Sequence, residues 1–174
     1  LSLQVHPLTQ YIQEKFGMHH TQDESYYILD AEEDSSVYLG VKDGIVPEEM
    51  INALTEAQHT GHFDAEKYVG NYPVKKHDHV LIPAGTVHCS GRNSMVLEIS
   101  ATPYIFTFKL WDWGRLGLDG RPRPINIGHG KHVNQWNRTE PWVRREIYNK
   151  IDKVAEGDGW IEEHTGLHEC EFIE

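Results

Sequence analysis

The feature that most constrains this chain is a series of short apolar–polar alternations, each closed by turn residues. Leu1 to His6, Glu24 to Asp30, Ser36 to Val41, Tyr72 to Lys75, Asp78 to Ile82, Ser94 to Ser100 and Tyr104 to Leu110 all read as strands. Gly, Pro, Asn and Asp lie between them, the residues that tight turns demand. Only two segments read as helix. In Pro47 to Ala57, proline opens the helix, Glu48 and Glu49 suit its positive end, and Met50, Ile51 and Leu54 form an inward stripe. In Glu140 to Ala155, Thr139 is a plausible N-cap, Val143, Ile147, Ile151 and Val154 share a face, and Gly157-Asp158-Gly159 ends the run. Gly117 to Gly130 is rich in Gly, Pro and Arg and reads as loop. Helices do not alternate with strands, which excludes a βαβ fold. An all-β antiparallel sandwich or barrel with helical insertions is expected.

Composition narrows what such a barrel does. The 174 residues suffice for one domain of ordinary size. The net charge of −11 argues against sequence-independent binding to nucleic acid or an anionic membrane. No apolar run reaches the length of a membrane span and no signal peptide opens the sequence, so a cytoplasmic location is expected. Two cysteines do not make a disulfide scaffold. Cys89 is expected to be a buried structural thiol, and Cys170 a surface or interface residue. Histidine is the unusual count, at 12. Both ends, Leu1-Ser2-Leu3 and Phe172-Ile173-Glu174, read as strands in mid-stride. The chain is therefore expected to be a piece of a longer protein.

Three stretches offer metal ligands. At strand period, Gln4 and His6 project to one face and Pro7 ends the strand. Taken alone, that pattern describes a polar surface more often than a metal site. Glu24 shares its face with Tyr26 and Ile28, an unexpected place for a carboxylate. Val80-Leu81-Ile82 runs into Pro83-Ala84-Gly85, a turn that aims His88 back toward the sheet. Together they supply two imidazoles, a carboxylate and an amide oxygen. Two nitrogen and two oxygen donors suit Zn²⁺, and ligand type alone also admits Fe²⁺, Mn²⁺, Co²⁺ or Ni²⁺.

The turn P-x-G-x-x-H, with an upstream ligand pair and a glutamate, resembles the cupin double-stranded β-helix, a jelly roll. Finer motifs narrow the match. Ser2-Leu3-Gln4-Val5-His6-Pro7 is similar to the S-x-Q-x-H-P opening of the type I mannose-6-phosphate isomerases. Glu24-Ser25-Tyr26-Tyr27-Ile28-Leu29-Asp30-Ala31 resembles their E-x-W-Y-I-L-D-A strand, and Pro73-Val74-Lys75-Lys76-His77-Asp78 their P-V-K-K-G-D turn. Pro83-Ala84-Gly85-Thr86-Val87-His88 matches P-A-G-T-V-H. Trp111-Asp112-Trp113-Gly114-Arg115, followed by Asp119-Gly120-Arg121-Pro122-Arg123, resembles Y-D-W-D-R and D-G-K-P-R. The motifs run in family order over residues 1 to 128.

The resemblance implies a metal-binding cupin core over residues 1–138, with the helical insertion at about 47–57. Residues 139–174 would be a helix and strand leading to a further part. It implies Gln4, His6, Glu24 and His88 as zinc ligands, Arg115 as the arginine facing the reacting sugar, and Ser2 as a contact to the substrate phosphate. The implied activity is aldose–ketose isomerisation of mannose 6-phosphate to fructose 6-phosphate through a cis-enediol. That chemistry needs positive charge on the developing enediolate and a base to carry the proton. A hydroxide at the metal, Glu24 or a nearby histidine each meets the second need.

Three positions depart from the family pattern. Gln22 stands where the family has the lysine of K-x-E, which removes a cation from the place where a phosphate would dock. Ser100 follows Glu98-Ile99 where E-I-Q is usual, and Gly114 precedes Arg115 where D-R is usual. Two alternatives follow: an isomerase of an unphosphorylated sugar, or a metal-bearing cupin that binds a sugar without turnover.

Overall fold

A computed structural model describes residues 1–150 and 152–164 of the chain. Its strands are β1 (Leu3–Val5), β2 (Asp23–Ala31), β3 (Ser36–Val41), β4 (Val69–Pro73), β5 (His79–Ile82), β6 (His88–Ser90), β7 (Ser94–Ala101), β8 (Phe108–Trp111), β9 (Asp152–Gly157) and β10 (Trp160–His164). Two antiparallel sheets carry the architecture. One has the order β4-β3-β6-β1-β8 and the other β5-β2-β7. β9 and β10 form a separate hairpin.

Alternation explains how the sheets pack. Tyr26 and Ile28 of β2, Val80 and Ile82 of β5, and Val37 and Leu39 of β3 share one buried cluster, to which Val143 and Ile147 are joined. The other face of the larger sheet buries Leu3, Val5, Phe108 and Leu110 against Met50 and Leu54. Those two residues belong to α2 (Pro47–Thr60), whose first position is proline and whose carboxyl end is Gly61 at φ 72°. β7 lies at a sheet edge with Met95, Leu97 and Ile99 exposed along one side. No helix among the described residues is long and apolar enough to cross a membrane.

The all-β expectation agrees with this architecture, while several local readings are corrected. The segment Glu140 to Ala155 is not one helix. α5 covers Glu140–Glu146, Asn149 takes a left-handed φ of 50°, and Asp152 already begins β9. Asp158 and Gly159 are the two-residue hairpin turn, with Gly159 at φ 82°. Such a turn sets strand pairing, and this overrides a weak helical stripe. Gly117 to Gly130 is loop only in its first part, because α4 (Ile127–Val133) begins inside it. Two further helices carry weak sequence signals, α1 (Thr9–Phe16) and α3 (Ala65–Tyr68). Cys89 is buried, as expected of a structural thiol, whereas Cys170 lies outside the described residues.

Candidate metal centre

β1, β2 and β6 bring the candidate ligands together from three distant parts of the chain. Gln4 and His88 are register partners across β1 and β6. Directly paired residues share a sheet face, so both project inward. Glu24 reaches the same point from the opposite sheet. His6, Glu24 and His88 are all buried, and their ligating atoms lie within 4.8 Å of one another. Gln4 joins them, with Nε2 at 3.2 Å from His88 Nε2.

The hydrogen bonds of the two imidazoles fix their tautomers. His6 Nδ1 is 2.9 Å from the Phe106 carbonyl, and His88 Nδ1 is 2.8 Å from the Thr86 carbonyl. A carbonyl only accepts, so each Nδ1 carries the proton and each neutral ring turns a bare Nε2 lone pair inward. These lone pairs face Glu24, His6 Nε2 at 3.2 Å from Oε2 and His88 Nε2 at 3.0 Å from Oε1. Acceptors in contact with a carboxylate need either a proton on each Nε2 or a cation among them. The ring centroids are 5.0 Å apart, so two imidazolium charges would repel strongly in a buried site. One metal ion satisfies all the atoms at once. Ligands at about 2.1 Å around a tetrahedral ion stand about 3.4 Å from each other, close to the spacing seen. Glu24 Oε1 also lacks a hydrogen-bond partner of good geometry, although it is buried. The residues present therefore fit a divalent metal.

Burial works to raise the Glu24 pKa, and protonated His6 and His88 donating to it more than offset that, holding the carboxyl well below its usual range; with neutral rings, a cation among them takes that part. An ionised carboxylate is the form that ligates. The turn that delivers His88 is clamped from behind. Arg138 Nη1 donates to the carbonyls of Pro83 at 2.9 Å and Ala84 at 2.7 Å, and also meets Thr86 Oγ1. Asp23 accepts from the Ala84 N–H at 2.7 Å.

The other expected residues lie further out. Ser2 is buried one position before β1, and strand period places it on the face of Gln4 and His6. Arg115 turns elsewhere. Its Nη2 donates to the Leu1 carbonyl at 3.2 Å, and Nη1 is 3.8 Å from Asp112. It lines a cavity of about 520 Å³ with Leu1, Tyr38, Glu66, Arg92 and Trp113, and none of the four candidate ligands lines that cavity. Lys109 is a further residue at this face that no motif singles out. It is the register partner of Gln4 across β1 and β8, on the inward face, while its neighbours Phe108 and Leu110 point to the outer core. Alternation within Phe108-Lys109-Leu110 was the available signal. The exposed pair His19 and His20 stays apart as a loop. His129 accepts or donates at 2.8 Å to Tyr11 and stacks on Phe108.

A two-sheet barrel whose strands present two histidines, a glutamate and a glutamine to one buried point has the cupin fold, with a candidate metal centre. No family model matches the chain. Mannose-6-phosphate isomerase of Streptococcus mutans serotype c (strain ATCC 700610 / UA159) is 28% identical over 147 residues, which are 82% of this chain and 44% of that protein. Mannose-6-phosphate isomerase ManA of Bacillus subtilis (strain 168) is 28% identical over 127 residues, or 73% of this chain and 38% of that protein. The crystal structure of the mannose 6-phosphate isomerase from Bacillus subtilis shares the fold with a TM-score of 0.69 at 23% identity, over 90% of this chain and 45% of that one. A variant of phosphomannose isomerase from Salmonella typhimurium shares it with a TM-score of 0.59 at 12% identity, over 90% of this chain and 55% of that one. The chain is thus similar in sequence and in fold to mannose-6-phosphate isomerases. It spans less than half the length of these curated relatives.

Proposed function

We propose that the chain is the metal-bearing core of a zinc-dependent aldose–ketose isomerase acting on mannose 6-phosphate. The observation that carries this reading is the convergence of two bare Nε2 atoms on an ionised, buried glutamate beside Gln4. Gln4, with its amide turned over to present the oxygen in place of Nε2, would hold the ion together with His6, Glu24 and His88. A bound Zn²⁺ supplies Lewis acidity to a carbonyl or hydroxyl oxygen of the sugar.

The chain's own residues do the rest. The carbonyls of Phe106 and Thr86 keep both imidazoles in the ligating tautomer. Lys109, on the inward face beside Gln4, brings positive charge toward a substrate anion. Ser2 offers a hydroxyl on the same face, and Arg115 would have to leave its Leu1 and Asp112 contacts to reach the sugar as the resemblance implies. The relatives' names support the substrate class, and the location expected for such an enzyme is the cytoplasm.

The test measures zinc content and turnover together on protein as isolated, after chelation and after reloading, with mannose 6-phosphate and mannose as substrates. Stoichiometric metal with chelator-sensitive turnover of the phosphosugar supports the reading. His88→Ala is expected to lose both metal and the thermal stabilisation that metal confers. Wild-type protein that takes up no transition metal would overturn the ligand assignment. Full metal loading with no turnover of either sugar would favour a sugar-binding cupin without catalysis.

A further inference from the structure

Two of the three departures from the family pattern, Gln22 and Ser100, touch each other beside the candidate metal centre. Gln22 is 2% exposed and precedes β2 on the face of Glu24. Its Nε2 donates to Glu24 Oε2 at 2.8 Å and to Ser100 Oγ at 3.2 Å. Ser100 is the register partner of Glu24 across β2 and β7, and its hydroxyl donates to Glu98 Oε1 at 2.9 Å. A hydrogen-bonded line therefore runs from the glutamate ligand through an amide and a hydroxyl to a surface carboxylate.

The orientation of the amide is set by geometry. Gln22 Nε2 stands 2.8 Å from Glu24 Oε2, so the amide turns its NH₂ group toward the ligand. That choice strands Gln22 Oε1, which is buried without a partner among the described residues. A buried orphan acceptor is unfavourable, and reversing the amide would be worse, since it would set oxygen against carboxylate. Both amide hydrogens then have work. One occupies Glu24 Oε2 and the other is fixed by Ser100. Glu24 Oε1 is left as the oxygen without a well-formed hydrogen bond, 3.0 Å from His88 Nε2.

We infer that Gln22 is a positioning residue that holds Glu24 Oε2 and so presents Oε1 alone to the metal, with Ser100 fixing the amide. The inference rests on the metal centre proposed above. A neutral donor holds one oxygen in place without adding a positive charge beside the cation. Outer partners of metal ligands commonly change metal affinity by about 10–100-fold when lost. The side chain also explains why the two departures occur together. Glutamine needs an acceptor for its second hydrogen, and the Ser100 hydroxyl supplies it.

Competition with a chromophoric chelator for Zn²⁺, and the visible spectrum of the Co²⁺-loaded protein, test this on wild type, Gln22→Met, Ser100→Ala and the double variant. Gln22→Met keeps length and removes both donors. It is expected to weaken zinc binding about 10–100-fold. With Oε2 released, Glu24 closes on the ion with both oxygens, so the Co²⁺ d–d absorption falls as coordination number rises. Ser100→Ala should weaken binding less, and the double variant should be no weaker than Gln22→Met, because Ser100 acts through the amide. Gln22→Lys, a donor of similar reach, should restore the wild-type Co²⁺ spectrum while its charge keeps zinc affinity low. Circular dichroism of the metal-free proteins confirms folding. A folded Gln22→Met with zinc affinity within twofold of wild type and an unchanged Co²⁺ spectrum overturns the inference while leaving the metal centre standing. If Gln22→Met does not fold, an unchanged Ser100→Ala has the same force. Wild type that binds neither ion overturns the metal centre itself.

Discussion

Arg138 is a half-buried cation behind the turn that delivers His88. Burial lowers its pKa to about 10, and the Asp23 carboxylate works against that shift. Its guanidinium satisfies the carbonyls of Pro83 and Ala84, and its face lies 5.0 Å from the Trp142 ring. Asp23, in turn, holds the Ala84 N–H, so both sides of the turn are tied by charged groups. Replacing the arginine leaves the Ala84 carbonyl without its donor, the Pro83 carbonyl with the Thr86 N–H alone, and Asp23 without its countercharge. Arg138→Met is therefore expected to lower unfolding free energy by about 2–4 kcal/mol, read from urea denaturation. It should also loosen zinc binding, because the turn fixes both the His88 backbone and the Thr86 carbonyl that sets its tautomer. Unchanged zinc affinity in a destabilised variant would show that β6 holds His88 without the clamp.

At the scale of elements, glycines mark where the backbone itself is the constraint. Gly85, in the turn before β6, has φ +88°, and an added Cβ would lie 2.7 Å from Gln135 Cγ and 3.1 Å from Leu8 Cδ2. Gly44 has φ +73° with nothing within 4 Å. Gly44→Ala carries only the backbone penalty, about 1–2 kcal/mol, whereas Gly85→Ala adds the cost of moving packed neighbours. Paired thermal melts should show the larger loss for Gly85→Ala. Equal losses would mean that Gln135 and Leu8 yield freely. The same contrast explains what could be read from the sequence. β2, β3 and β7 follow from alternation, and the inward face of Gln4, His6 and Glu24 follows from strand period, because each depends on residues close in the chain. α1 lacks a side-chain cap and α4 has two glycines, so their helical signals are weak and tertiary burial of Ile12, Ile127 and Val133 decides them. The turn at Asp158 and Gly159 was legible as a hairpin, but the apolar spacing around Val143 and Ile147 hid it. That Arg115 lies in a cavity with Leu1 while Lys109 pairs with Gln4 depends on register between β1 and β8, which no local pattern encodes.

At the scale of the whole molecule, buried titratable groups set the pH range over which the barrel stands. Burial pushes the Cys89 thiol from 9.0 up to about 11, against the pull of Trp113 and Arg115. Burial, assisted by Glu140, pushes the Tyr72 hydroxyl from 10.0 up to about 12. Tyr26 is raised further, by burial and then by Glu24. The unfolded chain gives up these protons between about pH 9 and pH 10, and the folded chain keeps them. Over that window the native state binds more protons, so stability falls as pH rises through about 9 to 12. Glu24 acts at the other end with the opposite shift. Its folded pKa is depressed below 4.5, so its contribution is present above that value and is lost as pH falls below it. Urea midpoints are expected to be level near neutrality and to drop on both sides. Tyr72→Phe is the informative variant. Its buried hydroxyl has no hydrogen-bond partner among the described residues, so removing it should leave stability near pH 7 almost unchanged. At pH 10.5 the variant should lose less than wild type, because one of the protons that the folded chain retains is gone from the balance. Cys89→Ala should shift the same limb at lower pH, at the cost of a small cavity. An alkaline limb unchanged in both variants would place the cause in surface charge repulsion, which a net charge of −11 makes the competing physical explanation and which added salt would relieve.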